Sequence, residues 1–106
     1  MSAVPLQQID VVSGPQGCTL HLAGSIGIML ARELHAASLG LLRAEGSVTV
    51  HCERVEHLDF AALQVLVALQ QELGRRSRGM EMAAVPIPVE RYLRLAGLQV
   101  LTPAAP

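Results

Sequence analysis

Two short stretches of the chain alternate between apolar and polar residues, which is the pattern of β-strands with one buried face. They cover residues 18–22 and 47–52, and strand-like apolar runs also occur at residues 6–12 and 80–84. The residues that share the apolar face are Cys18, Leu20 and Leu22 in one stretch and Val48, Val50 and Cys52 in the other. A Ser-Gly-Pro-Gln-Gly sequence at 13–17 predicts a turn between the first two strands. The alternation predicts a sheet with only one face in the main core.

Between these strands, apolar residues recur at helical spacing. A first helix is predicted to open at residues 25–27 and run to about Arg43; its inward residues are Met29 or Leu30, Leu34, Ala37, Leu41 and Leu42. A second helix begins after Asp59 and ends near residues 73–74. A proline turn at 86–88 precedes a short third helix at 89–96, which Gly97 ends as its C-cap. The order β-β-α-β-α-β-α predicts an α/β fold with a four- to five-stranded mixed sheet and about three helices packed mainly on one face.

Length and composition bound the possible functions. The 106 residues are expected to form one domain at 1–101 with a loose tail at 102–106. Apolar residues make up 51% and charged residues only 16%, against about 25% in typical soluble domains, so a surface that contacts a partner is expected. A net charge of −1 without a basic stripe argues against nucleic-acid binding. The chain shows no signal peptide and no apolar run long enough to span a membrane, so we expect a cytoplasmic protein that does not insert into membranes.

No group of residues predicts catalysis, a metal or a cofactor. His21 and His51 fall on the polar faces of neighbouring strands, but two imidazoles without a third ligand make a poor metal site. Cys18 and Cys52 are expected to be reduced core residues, and nothing in the sequence positions His57 as a base for Cys52. The arginines at 75, 76 and 78 suit the negative end of the second helix. We therefore expect a protein that is not an enzyme.

The segment at residues 55–66 is the most informative part of the chain. Asp59 stands at a strand-to-helix junction, where its carboxylate is expected to accept hydrogen bonds from the first backbone N–H groups of the helix. Between Cys52 and Ser77 there is no Ser, Thr or Tyr, so no hydroxyl there can be phosphorylated. The first two turns of the second helix have almost no polar face, which predicts an exposed apolar surface for a partner. Alternatively, the flanking helices bury it on all sides.

These residues resemble the STAS domain, a family named for sulfate transporters and anti-sigma-factor antagonists. The resemblance rests on the run at 55–64, on Leu22-Ala23-Gly24 after the second strand, and on residues 92–98 at the end. In the switching members of the family, the second residue after the Asp is a Ser or Thr that a partner kinase, itself an anti-sigma factor, phosphorylates. Here that position is Ala61, preceded by Phe60. The resemblance therefore implies docking without phosphorylation of the usual acceptor.

The resemblance implies a protein–protein interaction module of a bacterial regulatory pathway, with an anti-sigma factor, a kinase-like protein or a chemosensory protein as partner. A buried Phe60 ring would contribute a constant attraction of about 1.5–3 kcal/mol in place of a charge switch. The expected partner-binding residues are His57, Asp59, Phe60, Ala61, Ala62, Gln64 and Val65. An alternative is an accessory subunit of an Mla-type lipid-transport ABC complex that binds the ATPase. A third possibility, an anion site at the second helix, is disfavoured because Asp59 would repel the ligand. The oligomeric state is left open.

Overall fold

The computed structural model describes residues 7–98 and contains four strands and three helices in that range. They are β1 (Ile9–Gly14), β2 (Gly17–Ile26), α1 (Ile28–Arg43), β3 (Ser47–Leu58), α2 (Phe60–Arg75), β4 (Met80–Ala83) and α3 (Ile87–Leu95). The strands form one sheet in the order β1-β2-β3-β4. β1 pairs antiparallel with β2, whereas β2, β3 and β4 are parallel. The predicted mixed α/β sheet and its element order are confirmed.

Several predicted boundaries are wrong. β2 and β3 continue beyond the expected ends at residues 22 and 52, as far as Ile26 and Leu58, which are register partners and fully buried. The register of β2 against β3 shifts at two points, and such irregularities interrupt the strict alternation from which strands are recognised. β1 begins at Ile9 and not at residue 6, which lies outside the described residues. The predicted tail at 102–106 also lies outside them.

The third helix starts earlier than predicted. Residues 86–88 do not form a separate turn, because Pro86 is the N-cap of α3 and Pro88 lies in its first turn. Proline is tolerated there since the first backbone N–H groups of a helix have no partner within the helix. Gly97 follows the helix at φ +76°, in agreement with its predicted role at the C-terminus.

One hydrophobic core joins the sheet to all three helices. Its largest fully buried side chains are Leu20, Ile26, Val48, Leu58 and Met82 from the sheet and Leu34, Leu41, Leu63, Leu66, Leu73 and Leu93 from the helices. Met29 is 88% exposed while Leu30 packs against the core, so Leu30 is the inward residue of the predicted pair. On the other sheet face, Thr19 and His21 of β2 lie beside Thr49 and His51 of β3 and are only partly buried or exposed.

Gly17 permits the close start of the parallel pair. Its φ is +147°, and a Cβ at this position would lie 2.3 Å from the backbone oxygen of Ser47. Only glycine avoids this contact, so the sequence of the β1–β2 turn and the pairing of β2 with β3 are coupled at this residue.

Arg75 lies in the last turn of α2, as predicted, whereas Arg76 and Arg78 have a further role that the sequence did not indicate. Arg78 donates hydrogen bonds from Nε to Gly46 O (2.7 Å), from Nη1 to Leu42 O (3.3 Å) and from Nη2 to Leu41 O (3.0 Å). Arg76 Nη1 also donates to Leu42 O at 2.9 Å. These carbonyls lie at the end of α1 and in the connection after it, where helical C=O groups lack partners. The side chains of Arg76 and Arg78 thus bind the C-terminus of α1 and not that of α2.

Arg75 and Arg76 also pair with Glu72 of α2, at 3.0 and 3.2 Å. The hydrogen bonds from Arg76 and Arg75 hold the pKa of the Glu72 carboxyl below its usual range. Since Glu72 and Arg75 are on one exposed helix surface, this pair contributes little to stability.

We expect Arg78→Ala to lower the free energy of unfolding by about 2 kcal/mol, because three carbonyls lose a charged donor. Arg78→Lys should recover only part of this loss, since an ammonium cannot reproduce the planar fork of donors. Arg75→Ala is the matched control and should leave the unfolding free energy nearly unchanged. Urea unfolding followed by circular dichroism measures all three, and equal effects of the Arg75 and Arg78 substitutions would contradict the assignment.

Candidate docking site

The strand-to-helix junctions before α1 and α2 lie side by side. Asp59 N donates a hydrogen bond to Ile26 O at 3.0 Å, which joins the end of β3 to the end of β2. A Cβ on Gly27 would lie 3.5 Å from Asp59 Oδ2, so the two junctions are in close contact. Because β2 and β3 are parallel, both helices begin at the same end of the sheet, where the carboxyl ends of these two strands lie.

Large apolar side chains are exposed at this end of the sheet. Phe60 is the first residue of α2 and is 61% exposed, while Ile28 and Met29, the first residues of α1, are 72% and 88% exposed. We call the set of Ile28, Met29, His57, Asp59 and Phe60 the junction surface. An exposed apolar group of this kind, rimmed by polar side chains, is typical of a protein interaction site.

Asp59 does not cap α2 with its side chain, contrary to the prediction. Its backbone has the N-cap conformation (φ −68°, ψ 160°), and its C=O accepts a hydrogen bond from Leu63 N at 3.0 Å. The carboxylate Oδ1 instead contacts His57 Nε2 at 2.9 Å. The imidazole of His57 also lies beside the ring of Tyr92 in α3, with centroids 5.7 Å apart. Since His57 and Asp59 have side chains that are 52% and 46% exposed, the pair forms a polar rim next to Phe60.

α2 does not expose the broad apolar surface that the sequence predicts. Leu63, Leu66, Leu69 and Leu73 are buried, and α1 packs along the helix. The exposed stripe after Phe60 consists of Gln64, Ala68 and Gln71. The alternative of burial on all sides by the flanking helices is therefore wrong as well, because this stripe is exposed, and Phe60 is the one large exposed apolar side chain of α2.

The predicted partner-binding residues separate into three groups by exposure. His57, Phe60 and Gln64 are exposed, whereas Asp59, Ala61 and Val65 are partly buried. Ala62 is fully buried in the core and is therefore not available to a partner, which corrects the prediction for this residue.

Sequence reasoning missed Ile28 and Met29. The run Ile28-Met29-Leu30 at the start of α1 held the only signal, because a helix packed on one side of a sheet cannot bury three successive residues. Leu30 takes the inward position, which leaves the other two in solvent.

The chemical alternatives find little support in the geometry. The rings of His21 and His51 do lie close together, with centroids 5.4 Å apart. Within residues 7–98, however, no cluster of three or more His, Cys, Asp or Glu residues is arranged to hold a metal ion. Cys52 is fully buried, and burial raises the pKa of its thiol to about 12, so it is not an activated nucleophile. In the same part of the chain, no helix is long and apolar enough to cross a membrane.

The sheet order and the crossover helices define an α/β domain with a mixed four-stranded sheet in the described residues. A sequence profile described as "Mlab, STAS domain" matches residues 9–103. The chain belongs to this family of STAS domains. The comparison with curated proteins gave no match.

Solved structures share the fold at low sequence identity. The anti-sigma factor antagonist SpoIIAA in its unphosphorylated form superposes with a TM-score of 0.78 at 13% identity, covering 92% of this chain and 88% of that one. A putative antagonist from Thermotoga maritima gives a TM-score of 0.77 at 16% identity, with 89% and 82% covered. An antagonist from Mycobacterium paratuberculosis gives 0.77 at 22% identity, with 92% and 84% covered. These similarities confirm the predicted fold.

We expect the Cys52 thiol to resist alkylation by iodoacetamide at pH 8 in the folded protein and to react once urea unfolds the chain. Because burial raises its pKa to about 12 from the ordinary value of 9.0, the thiol ionises in the unfolded state first. The neutral, buried thiol should therefore add to the free energy of unfolding below pH 9, and this contribution should be lost as the pH rises toward 12. Mass spectrometry of the labelled peptides measures the reaction. Rapid labelling of Cys52 in the native state would contradict the conclusion that its thiol is not an activated nucleophile.

Proposed function

We propose that this domain is a non-catalytic protein–protein interaction module of a bacterial regulatory pathway and that the junction surface binds its partner. The observation that carries the proposal is the exposure of Phe60 at the start of α2, beside Ile28 and Met29 at the start of α1. Three large apolar side chains that are exposed at one end of the sheet are available for burial by another protein. The similarity to anti-sigma-factor antagonists supports a regulatory role.

We further propose that binding is constitutive. The usual acceptor position holds Ala61, and residues 53–76 contain no hydroxyl, so a kinase cannot add a phosphate to Ser, Thr or Tyr there. A phosphate would bring about −1.5 to −2 charges to the N-terminus of α2 and change its electrostatics. A phenyl ring has no such second state, and its attraction depends only on the area that the partner covers.

The junction surface also indicates the chemistry of the partner. Ile28, Met29 and Phe60 require an apolar recess, whereas the Asp59 carboxylate beside them favours a basic or neutral rim. Candidates from the regulatory class are an anti-sigma factor, a kinase-like protein or a chemosensory protein of a cytoplasmic pathway.

We expect Phe60→Ala to weaken the affinity for the partner about 10- to 100-fold, which corresponds to losing burial of one aromatic side chain. The free energy of unfolding should change little, because the ring contacts solvent over 61% of its surface. Leu95→Ala is the matched control, since Leu95 is 89% exposed, is the last residue of α3 and is not part of the junction surface. Isothermal titration calorimetry with the purified partner measures both variants.

Two outcomes would contradict the assignment of Phe60. One is an unchanged affinity of the Phe60→Ala variant with the fold intact. The other is an equal loss of affinity in the Leu95→Ala variant, which would place the contact elsewhere or show a nonspecific apolar effect.

A second candidate function is an accessory subunit of an Mla-type lipid-transport ABC complex. The family description "Mlab, STAS domain" favours it. The exposed stripe of Gln64, Ala68 and Gln71 on α2 carries no charge, which suits packing against a flank of an ATPase. Such a subunit needs no phosphorylation, in accord with Ala61 at the acceptor position.

Affinity capture from a lysate of the source cells distinguishes the two functions. We expect wild-type protein to recover a regulatory protein such as a kinase-like anti-sigma factor or a chemosensory protein, and Phe60→Ala to recover much less of it. Recovery of an ABC ATPase with its permease would replace the first function by the second. The Leu95→Ala variant serves as the control for both outcomes, because it retains the junction surface.

A further inference from the structure

β1 is an edge strand with unused hydrogen-bonding groups. Ala23 N donates to Gln8 O at 3.0 Å, and the register from Ile9 with Leu22 to Gly14 with Gly17 is continuous. Hydrogen-bonded and non-bonded pairs alternate along an antiparallel ladder. The even-numbered residues of β1 therefore bond to β2, while Ile9, Val11 and Ser13 direct their N–H and C=O groups away from it. No other strand within residues 7–98 pairs with this edge.

The edge lacks the features that usually prevent strand pairing. Its six residues contain no Pro, no Lys and no bulge, and Asp10 is their only charge. Val11 and Val12 are 39% and 51% exposed. The opposite edge, β4, has only four residues and is followed closely by Pro86, so it offers a much shorter template.

We propose that β1 pairs antiparallel with β1 of a second copy of this chain, with the two-fold axis at Val11. Only odd-numbered residues can form hydrogen-bonded pairs across this interface. Centring the axis at Val11 uses all three, because Val11 faces its counterpart and Ile9 faces Ser13 of the second copy. The pairing forms about six backbone hydrogen bonds and joins the two sheets into one of eight strands.

The neighbouring registers are less favourable. Moving the axis to Asp10 places the two Asp10 carboxylates opposite each other, and like charges directly opposite are destabilising. Moving it to Val12 leaves Ile9 facing Pro15, which has no N–H to donate. At Val11 the side chain opposite Asp10 is Val12, so no like charges meet. A second copy therefore offers an edge whose free backbone groups and single charge are complementary to those of this edge.

The proposed dimer leaves both junction surfaces free, since none of their residues belongs to β1. It would therefore present two docking sites related by symmetry, and a partner with two copies could bind both. The five residues of β1 that pair in each copy cover less area than a standard interface, so we expect dissociation constants on the order of 0.1 to 1 mM.

A cysteine cross-link tests the register. In the Val11→Cys variant the two Cα atoms should lie about 5.5 Å apart, which is within disulfide range. Ser13→Cys is the matched control, because its counterpart in the second copy lies about 13 Å further along the strand. Both variants also carry Cys18→Ala, because Cys18 Sγ lies 3.8 Å from Ser13 Oγ and would otherwise form an intramolecular disulfide with a cysteine at position 13. Under mild oxidation, non-reducing gels should show a covalent dimer for Val11→Cys and little for Ser13→Cys.

Sedimentation velocity over increasing concentration tests the association without a cross-link. Val11→Pro removes a free N–H and not one that pairs with β2, so the variant should keep its circular dichroism spectrum and remain monomeric. Val11→Thr retains the N–H and should dimerise like the wild type. A wild-type protein that is monomeric up to about 1 mM would overturn the proposal. Equal cross-linking of the two cysteine variants, or a dimer that persists in folded Val11→Pro, would do so as well.

Discussion

The parallel pairing of β2 with β3 is the interaction on which the rest of the structure depends. Parallel neighbours require a crossover, so α1 must leave the carboxyl edge of the sheet and return along one face, and α2 then does the same between β3 and β4. The hydrogen bond from Asp59 N to Ile26 O fixes the two helix starts against each other. The buried leucines of both helices then fill the space over one sheet face, while the opposite face remains polar.

The sequence patterns predict this architecture well where alternation is regular and poorly where the ladder is irregular. Residues 18–22 and 47–52 alternate cleanly and form parts of β2 and β3. Further along β3, Glu53 and Arg54 are both exposed, and the buried Val55 and Leu58 are three residues apart. That spacing fits a helix as well as a strand, so the extension to Leu58 could not be recognised without the pairing partner in β2.

The candidate site was predictable in its position along the chain but not in its contacts. The pattern at 55–66 locates the junction, and Phe60 is exposed there. The contacts of His57 with Tyr92 and of Arg78 with the end of α1 join residues that are remote in sequence. The contact of Asp59 with His57 is local, but it replaces the cap that the sequence predicts. Ile28 and Met29 meet the site only through tertiary structure. Helical periodicity assigns a residue to a face, whereas these contacts depend on how the helices are placed on the sheet.

The start of α2 is held by backbone groups: Asp59 N bonds to Ile26 O, and Asp59 O accepts from Leu63 N. None of these bonds involves the side chain of Asp59, Phe60 or Ala61. A hydroxyl at Ala61 is therefore not needed to form the junction, and its absence leaves the helix start unchanged. Because the backbone supplies the geometry, the exposed side chains at the junction can vary without changing the helix start, and here they include the phenyl ring of Phe60.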